Sequence, residues 1–246
     1  MPRRRRTPSP EKRLENVGSA PGQLQSLPGA VESRLDLIVY GSKSFDTLPD
    51  ASTKTLKKAL SGSETVWANF VGLKDVGFLT KIGDQLGLHQ LALEDVVNSH
   101  QRAKHEDFEL VQFVVARMPV SIKSLETEQL SLFLGRNFVF TVQEKPGDCF
   151  EKVRDRLREG RVRIRGGGPD YLAYALLDSL VDSYFPLLES IGIALDDLEL
   201  AIMESPENEH VTRLHEIKRE LVILRRYVEP LRDVIGRLLK EDNDLV

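Results

Sequence analysis

The segment Gln129–Gln143, which reads QLSLFLGRNFVFTVQ, decides the fold class of this chain. Apolar and polar residues alternate in Gln129–Leu134 and again in Phe138–Gln143, which is the period-two pattern of a β-strand with two distinct faces. The residues Gly135–Asn137 separate the two runs and supply a turn former where the chain must reverse. The segment therefore predicts a β-hairpin within a sheet.

Further strands and helices flank this hairpin along the chain. Runs rich in β-branched and aromatic residues and bounded by Gly or Ser predict strands, and other segments predict short helices. Asp75 is a candidate N-cap for one of these helices. Strands interleaved with helices predict an α+β fold in which helices cover the faces of the sheet. The predicted strands are 34–40, 65–70 and 110–118, and the predicted helices are 51–60, 75–86, 91–98 and 150–158.

The pattern changes after the sequence GGGP at 166–169. No strand is predicted beyond it, and two long helices are predicted instead over 170–203 and 209–239, separated by turn formers at 205–208. The second helix carries a heptad repeat of apolar residues, which predicts a coiled-coil-like contact face. The first helix, folded back as an antiparallel hairpin, is the natural partner of this face, and a second chain is the alternative. The repeat comprises Leu214, Ile217, Leu221, Leu224, Val228, Leu231, Ile235 and Leu238.

These patterns divide the chain into three parts. Residues 1–30, rich in Arg, Pro, Ser and Gly, predict a disordered basic tail. Residues 31–165 form the sheet-and-helix domain, and residues 166–246 the helical hairpin. The net charge is -4 although Arg3–Arg6 are all basic, so the folded part is acidic, which argues against a nucleic-acid partner. The single cysteine, Cys149, excludes an internal disulfide, and no apolar run reaches the roughly 18 residues needed to span a bilayer.

Carboxylates are concentrated in the first long helix. The residues from Asp170 to Glu209 include no Lys or Arg, whereas the second helix is mostly basic. Spacings of four, seven and seven residues place four carboxylates on one helical stripe. This stripe is either a solvated acidic face or a surface that binds hard cations such as Mg²⁺, which prefer oxygen ligands. The four residues are Asp178, Asp182, Glu189 and Asp196.

A second candidate site lies in the segment 88–106, LHQLALEDVVNSHQRAKHE. Its histidines raise the hypothesis of a transition-metal site, although their spacing does not place them on one helix face and no cysteine is near. Glu94 and Asp95 lie early in a predicted short helix, where they either stabilise the helix dipole or bind a metal. No nucleophile–base arrangement is present in the chain, so the sequence does not indicate an enzyme. The other candidate ligands are His89, His100, His105 and Glu106.

Four segments in the same order resemble the CorA family of magnesium and cobalt transporters. The segment 87–104 is similar to a family segment containing Leu-Glu-Asp followed by His-Gln-Arg-Pro-Lys, with Gln90 and Ala103 at two positions where the family usually has proline. The resemblance covers Thr65–Leu239. It implies a cytoplasmic αβα sandwich with a mixed sheet, followed by a long antiparallel helical hairpin. The other three matching segments are 128–143, 170–185 and 218–234.

The resemblance also implies a function. Family members are pentameric membrane channels that conduct Mg²⁺, and in some cases Co²⁺ or Ni²⁺, and that close when regulatory Mg²⁺ binds between neighbouring cytoplasmic domains. By position, Asp95 matches the main interface ligand, and Glu94 and Asp178 match ligands of a second nearby site. The partner carboxylate, the membrane helices and the Gly-Met-Asn pore motif would all follow the C-terminus of this chain. The chain by itself is then expected to be soluble, and a monomer or weak dimer.

Two alternatives to a magnesium channel stay open at this point. One is a zinc-transporting relative of the same superfamily, which would use the histidines of the 88–106 segment. The other is a soluble scaffold protein built on the coiled-coil hairpin.

Overall fold

The structure, a computed structural model, describes residues 28–99, 101–121 and 125–238 together with Leu24 and Ser26. Within these residues the chain forms seven strands, followed by or interleaved with eight helices. The strands are β1 (Arg34–Tyr40), β2 (Phe45–Leu48), β3 (Thr65–Val71), β4 (Lys104–Phe108), β5 (Val111–Pro119), β6 (Thr127–Leu134) and β7 (Phe138–Gln143). The helices are α1 (Thr53–Leu60), α2 (Val76–Leu86), α3 (Gln90–Val97), α4 (Glu151–Arg158), α5 (Val162–Gly166), α6 (Pro169–Asp182), α7 (Phe185–Glu204) and α8 (Asn208–Leu238).

All seven strands belong to one mixed sheet with the order β2-β1-β3-β7-β6-β5-β4. β3 and β7 run parallel, and every other neighbouring pair is antiparallel. The pair β6–β7 is the hairpin predicted from the sequence. Leu134 faces Val139, and the Gly135 amide donates to the Phe138 carbonyl oxygen at 2.9 Å. The hairpin prediction is confirmed, and pairing with β3 carries it into the middle of the sheet.

Each face of the sheet carries its own core. On one face, α1, α2 and α3 pack against side chains that include Phe70, Phe113 and Phe140. On the other face, the helices from α4 onward pack against side chains that include Trp67 and Leu132. Successive residues of a strand point to opposite faces, so the alternation read from the sequence supplies both cores. The predicted αβα sandwich with a mixed sheet is confirmed.

Three short elements escape the sequence patterns, namely β2, β4 and α5. The two strands lie at the edges of the sheet, where each pairs on one side only. Their sequences, FDTL and KHEDF, are largely polar, because an edge strand faces solvent and needs few apolar residues. Apolar alternation therefore gives no signal for them.

The first long helix, predicted over 170–203, is divided in two by a turn at Ser183 and Tyr184. Pro186 has no backbone N–H and cannot donate to the Asp182 carbonyl oxygen, so the helical hydrogen bonding ends and a new helix begins at Phe185. The Tyr184 hydroxyl donates to the Arg117 carbonyl oxygen of β5 at 2.6 Å, which fixes the turn against the sheet. The prediction of one continuous helix is wrong. The predicted stripe of four carboxylates is therefore divided as well, with two on α6 and two on α7.

α7 and α8 form the predicted helical hairpin, joined by residues 205–207. The heptad repeat of α8 separates into two rows with different environments. One row, Ile217, Leu224 and Leu231, is buried in the core. The other row remains 39–48% exposed, because α8 packs against α7 and across β4 and β5 rather than face to face along one helix. The prediction that α7 covers the repeat therefore holds for one row only. The exposed row is Leu214, Leu221 and Val228.

The predicted N-cap of α2 is confirmed and supports a first testable prediction. Asp75 Oδ1 accepts a hydrogen bond from the Phe78 amide at 2.8 Å. Replacing Asp75 with Ala should lower the free energy of unfolding by about 1 kcal/mol, since one amide of the first turn loses its acceptor. Urea denaturation measures this change. The control is Asp84→Ala, an exposed carboxylate of the same helix. An equal loss in both variants would contradict the capping role.

Two sequence expectations concern residues that the structure does not describe. The predicted basic tail lies almost wholly outside the described residues, as does the C-terminal segment after Leu238. Across the part of the chain that is described, none of the helices has both the length and the apolar character that a membrane span requires.

Candidate functional site

Glu94 and Asp95, two of the three predicted metal ligands, lie on α3. The apolar residues of this helix are buried against the sheet, so both carboxylates stay half-buried at its side. Gln129 of β6 holds the helix in place, because its Nε2 donates to the Asp95 carbonyl oxygen at 2.7 Å. Gln90 is the first residue of α3, a position where the proline expected from the family resemblance also fits. The buried residues are Ala92, Leu93, Val96 and Val97.

The Asp95 carboxylate has a polar partner at each oxygen. Gln101 Nε2 donates to Oδ1 at 2.7 Å, and Lys104 Nζ forms an ion pair with Oδ2 at 2.6 Å. Lys104 lies on the edge strand β4 and also pairs with Glu106 Oε1 at 2.7 Å. Lys104 and Glu106 are two residues apart and so share one face of the strand. One ammonium group thus bridges two carboxylates.

Lys104 is a permanent cation in this cluster. Burial lowers the pKa of its ammonium group, but the hydrogen bonds and charges of Asp95 and Glu106 outweigh burial, so the pKa lies above its ordinary value. The side chains of Lys104 and Asp95 are only 27% and 22% exposed, so salt screens this pair less than an exposed pair. Within one chain, Lys104 is therefore the counter-ion of Asp95.

Glu94 and Asp95 do not act as N-terminal dipole stabilisers. They follow the first turn of α3, which contains no acidic residue, whereas the dipole acts mainly within that turn. The dipole interpretation is therefore wrong. His89 caps the helix instead, with its Nδ1 accepting a hydrogen bond from the Leu91 amide at 3.2 Å.

The histidines of the 88–106 segment have separate roles where they are described. His89 caps α3 and stacks on Phe108 with ring centroids 5.0 Å apart, and His105 is buried on β4. His100 lies outside the described residues. Among the residues that are described, no three His, Cys, Asp or Glu side chains are grouped to hold a metal ion. The zinc hypothesis gains no support from this geometry.

Asp178, the third predicted ligand, is not near the other two. α6, which carries it, packs on the face of the sheet opposite to α3. Asp178 is exposed and lines an open groove of about 390 Å³ between α4 and α6. An ion that contacts both would therefore have to bind Asp178 of one chain and the α3 carboxylates of another. The groove is lined by side chains of both signs: Lys152, Asp155, Arg156, Glu159, Asp178, Ser179 and Asp182.

A buried carboxylate is present on β6, the strand that supplies Gln129. Glu128 precedes Gln129 on β6, is 2% exposed, and accepts a hydrogen bond at Oε2 from the Lys145 amide at 2.8 Å. Its other oxygen, Oε1, has no hydrogen-bond partner among the described residues. Burial raises the pKa of Glu128 to about 7; the Lys145 amide opposes this rise, and the charge of Glu144 adds to it. The sequence gives no sign of this environment.

The carboxylates on α3 offer oxygen ligands, which suit hard cations. Carboxylates such as Asp95 and Glu94 match the preference of Mg²⁺, which binds through one or two carboxylates and keeps several waters. Cys149 lies elsewhere, after β7, and burial raises the pKa of its thiol to about 12. The thiol is therefore protonated at neutral pH and is a poor soft-metal ligand or nucleophile. The oxygen donors near α3 therefore suit a hard cation better than a soft one.

Sequence reasoning identified the carboxylates but missed the groups that fix them. Gln101, Lys104 and Gln129 contact Asp95 directly, yet none carries a motif for this role. The one available signal was the Lys104–Glu106 spacing, which places opposite charges on one face of a strand. That signal required knowing that 104–108 is a strand.

Comparison with known proteins identifies the family. A family model described as CorA-like Mg²⁺ transporter protein matches residues 62–246. The cobalt/magnesium transport protein CorA of Thermotoga maritima is 38% identical over 241 residues, and the alignment covers 96% of this chain and 69% of that protein.

Solved structures share the fold at low sequence identity. The soluble domain of CorA from Methanocaldococcus jannaschii superposes with a TM-score of 0.66 at 16% identity, over 85% of this chain and 81% of that one. The cytoplasmic domain of ZntB from Vibrio parahaemolyticus gives a TM-score of 0.62 at 9% identity, over 87% and 82%. These likenesses show the fold alone. The family match and the 38% identity establish more: this chain belongs to the CorA-like Mg²⁺ transporter family.

Proposed function

We propose that this chain is the cytoplasmic metal-sensing domain of a membrane channel for divalent cations. The 38% identity to a protein named as a cobalt/magnesium transporter, over 96% of this chain, carries the proposal. Mg²⁺ is the expected cargo, with Co²⁺ as a second cation. The domain would lie on the cytoplasmic side of the cell membrane and would act by binding metal, not by catalysing a reaction.

The regulatory cation in this proposal is also Mg²⁺, bound between subunits through Asp95, Glu94 and Asp178. Two features of the fold support a shared site. Asp178 lies on the opposite face of the sheet from α3, so Asp178 of a neighbouring chain would have to approach Glu94 and Asp95 of this one. The exposed apolar row of α8 offers additional surface to another helix or chain.

Such a site would couple metal to gating through electrostatic repulsion. Carboxylates that face one another across a subunit interface repel, and a bridging dication offsets this repulsion. Bound Mg²⁺ would therefore hold the subunits together in a closed state, and its loss would favour the open state. A mostly hydrated Mg²⁺ on one or two carboxylates binds weakly, which suits a sensor of cytosolic Mg²⁺.

The isolated chain should show only part of this behaviour. We expect Mg²⁺ to bind at millimolar or higher concentration, because ligands from a second subunit are absent. Calorimetry measures this affinity.

We also expect a monomer or weak dimer at micromolar concentration, and a pentamer only in the membrane-bound protein. Light scattering that detects a stable pentamer of this chain would contradict the second expectation.

The decisive experiment measures Mg²⁺ flux into proteoliposomes that contain the complete transporter. Asp95→Asn should shift the Mg²⁺ concentration that half-inhibits flux by at least about fivefold, the lower range of typical coupling between sites. Asp95→Lys should lower flux at low Mg²⁺, because a fixed cation can pair with a facing acid as the metal does. Ion selectivity should stay unchanged in both variants.

The matched control is Asp84→Asn, an exposed carboxylate on α2. If Asp95→Asn leaves the inhibition curve unchanged, the next variant to measure is the triple variant, in which Glu94 and Asp178 are also replaced by their amides. If the triple variant is inhibited like the wild type, the regulatory role of these carboxylates is wrong.

A further inference from the structure

The ammonium group of Lys104 is bound to the carboxylate that is proposed to bind the metal. Lys104 Nζ lies 2.6 Å from Asp95 Oδ2, and Gln101 Nε2 lies 2.7 Å from Oδ1. A carboxylate oxygen has two lone-pair sites, so each of these donors leaves one site of its oxygen open. The neutral amide of Gln101 does not repel a metal at such a site, whereas the ammonium group of Lys104 repels a dication that binds Asp95.

Glu106 gives the displaced ammonium a place to go. Lys104 Nζ already lies 2.7 Å from Glu106 Oε1, so it can leave Asp95 without losing its charged partner. Lys104 Nζ also lies over the ring of the buried Phe113, 5.8 Å from the ring centroid. The ammonium group of Lys104 thus has two carboxylates within hydrogen-bond distance.

We propose that Lys104 is an internal counter-cation that competes with Mg²⁺ for Asp95 and sets the concentration at which the metal binds. Without metal, the ammonium group bridges Asp95 and Glu106, and the three side chains together keep one net negative charge. When Mg²⁺ arrives, the ammonium group moves wholly to Glu106 and releases Oδ2. This inference rests on the proposed function, in which Asp95 is a metal ligand. It assigns Lys104 a role in tuning affinity that the carboxylates alone do not explain.

The test uses this chain, MgCl₂ at constant ionic strength, and NMR titration of the Asp95 amide and the Lys104 Nζ resonances. Lys104→Met should bind Mg²⁺ about tenfold more tightly than the wild type, because the competitor and a repelling charge are both removed. Lys104→Gln is the second variant in case the methionine variant folds poorly. Lys74→Met, which removes an exposed lysine paired with Glu32, should leave the affinity unchanged.

A double variant separates competition from net charge. Lys104→Met combined with Glu106→Gln removes one positive and one negative charge, so the charge of the cluster equals that of the wild type. If Lys104 competes for Oδ2, the double variant still binds Mg²⁺ more tightly than the wild type. If the double variant binds like the wild type, Lys104 acts only through its charge, and direct competition is overturned.

Asp95→Asn distinguishes failure of this inference from failure of the proposed function. If Mg²⁺ binding near α3 does not depend on Asp95, the assignment of Asp95 as a ligand fails, and the inference fails with it. If binding depends on Asp95 but Lys104→Met does not tighten it, only the inference is overturned. In the wild type, added Mg²⁺ should shift the Lys104 Nζ resonance, and no shift at saturation would overturn the displacement step.

Discussion

Glu128→Gln is expected to make the folded protein more stable at pH 8 and to remove a fall in stability that the wild type shows between about pH 4.5 and pH 7. Glu128 is 2% exposed, and burial raises its pKa to about 7 from the ordinary value of 4.5. Its carboxylate is charged at pH 8 with one oxygen that has no hydrogen-bond partner among the described residues. A buried charge without full compensation destabilises the fold.

The sign of the pH effect follows from proton binding. Below about pH 4.5, Glu128 is protonated in both folded and unfolded chains. Between about pH 4.5 and 7, the unfolded chain releases this proton and the folded chain retains it, so rising pH favours unfolding. Above pH 7 both states are charged and the effect is constant. A shift of this size corresponds to about 3 kcal/mol at most.

Urea denaturation of the wild type and Glu128→Gln at pH 5 and pH 8 measures this difference. The gap between the two proteins should widen with pH, toward about 3 kcal/mol in favour of the variant. Glu126→Gln is the control. Glu126 lies two residues before Glu128, but its carboxylate is exposed and pairs with Lys145. A wild-type pH dependence that persists in Glu128→Gln would contradict the assignment.

Gly72→Ala is expected to lower the free energy of unfolding by about 4 kcal/mol, the sum of backbone strain and overpacking. Gly72 follows β3 with φ at +85°, a region that favours glycine. A Cβ at this position would lie 2.6 Å from the Val31 carbonyl oxygen and closer still to that of Glu32. Both atoms belong to the backbone, so neither can rotate away.

Gly87→Ala separates the two causes and is measured by urea denaturation beside Gly72→Ala. Gly87 caps α2 with φ at +67°, and no heavy atom lies within 4 Å of the position of a Cβ. It should therefore lose about 1 kcal/mol from backbone conformation alone. Equal losses in the two variants would show that the approach of residues 31 and 32 to the end of β3 is not a steric constraint.

Glu128 is connected to the proposed sensor through Gln129 and Glu144. The Gln129 side chain holds α3 through the Asp95 carbonyl oxygen, and the Gln129 backbone N–H donates to Glu144 Oε1 at 2.7 Å. Glu144 in turn contributes to the raised pKa of Glu128. Changes at Glu128 should therefore be checked for Mg²⁺ affinity as well as for stability.

Local sequence patterns determined most of the architecture. The alternation in 129–143 and the runs at 34–40 and 65–70 predicted strands because side chains of a strand alternate between two faces whatever the rest of the fold does. The N-cap at Asp75 and the helices at 51–60 and 150–158 also depend only on near neighbours. The predicted division of the chain at residue 166 stays a prediction.

The sequence pattern failed where distant contacts or a single overlooked residue decide the structure. Pro186 ends the first long helix, although the segment 170–203 was predicted as one helix. The edge strand β4 is too polar to be recognised, and its pairing with β5 is what brings Lys104 onto the sheet. Only one row of the α8 repeat is buried because the sheet, as well as α7, contacts this helix.

By itself, the sequence determined the sheet-and-helix class, the helical hairpin and the carboxylates Glu94, Asp95 and Asp178 as candidate ligands, because residue type and local period are written in the chain. Only the tertiary structure decided that the sheet separates Asp178 from α3, that Lys104 pairs with Asp95, and that Glu128 is buried. These relations depend on strand order and on which face each helix covers. Both are set by packing between segments far apart in sequence, where no local pattern reports the partner.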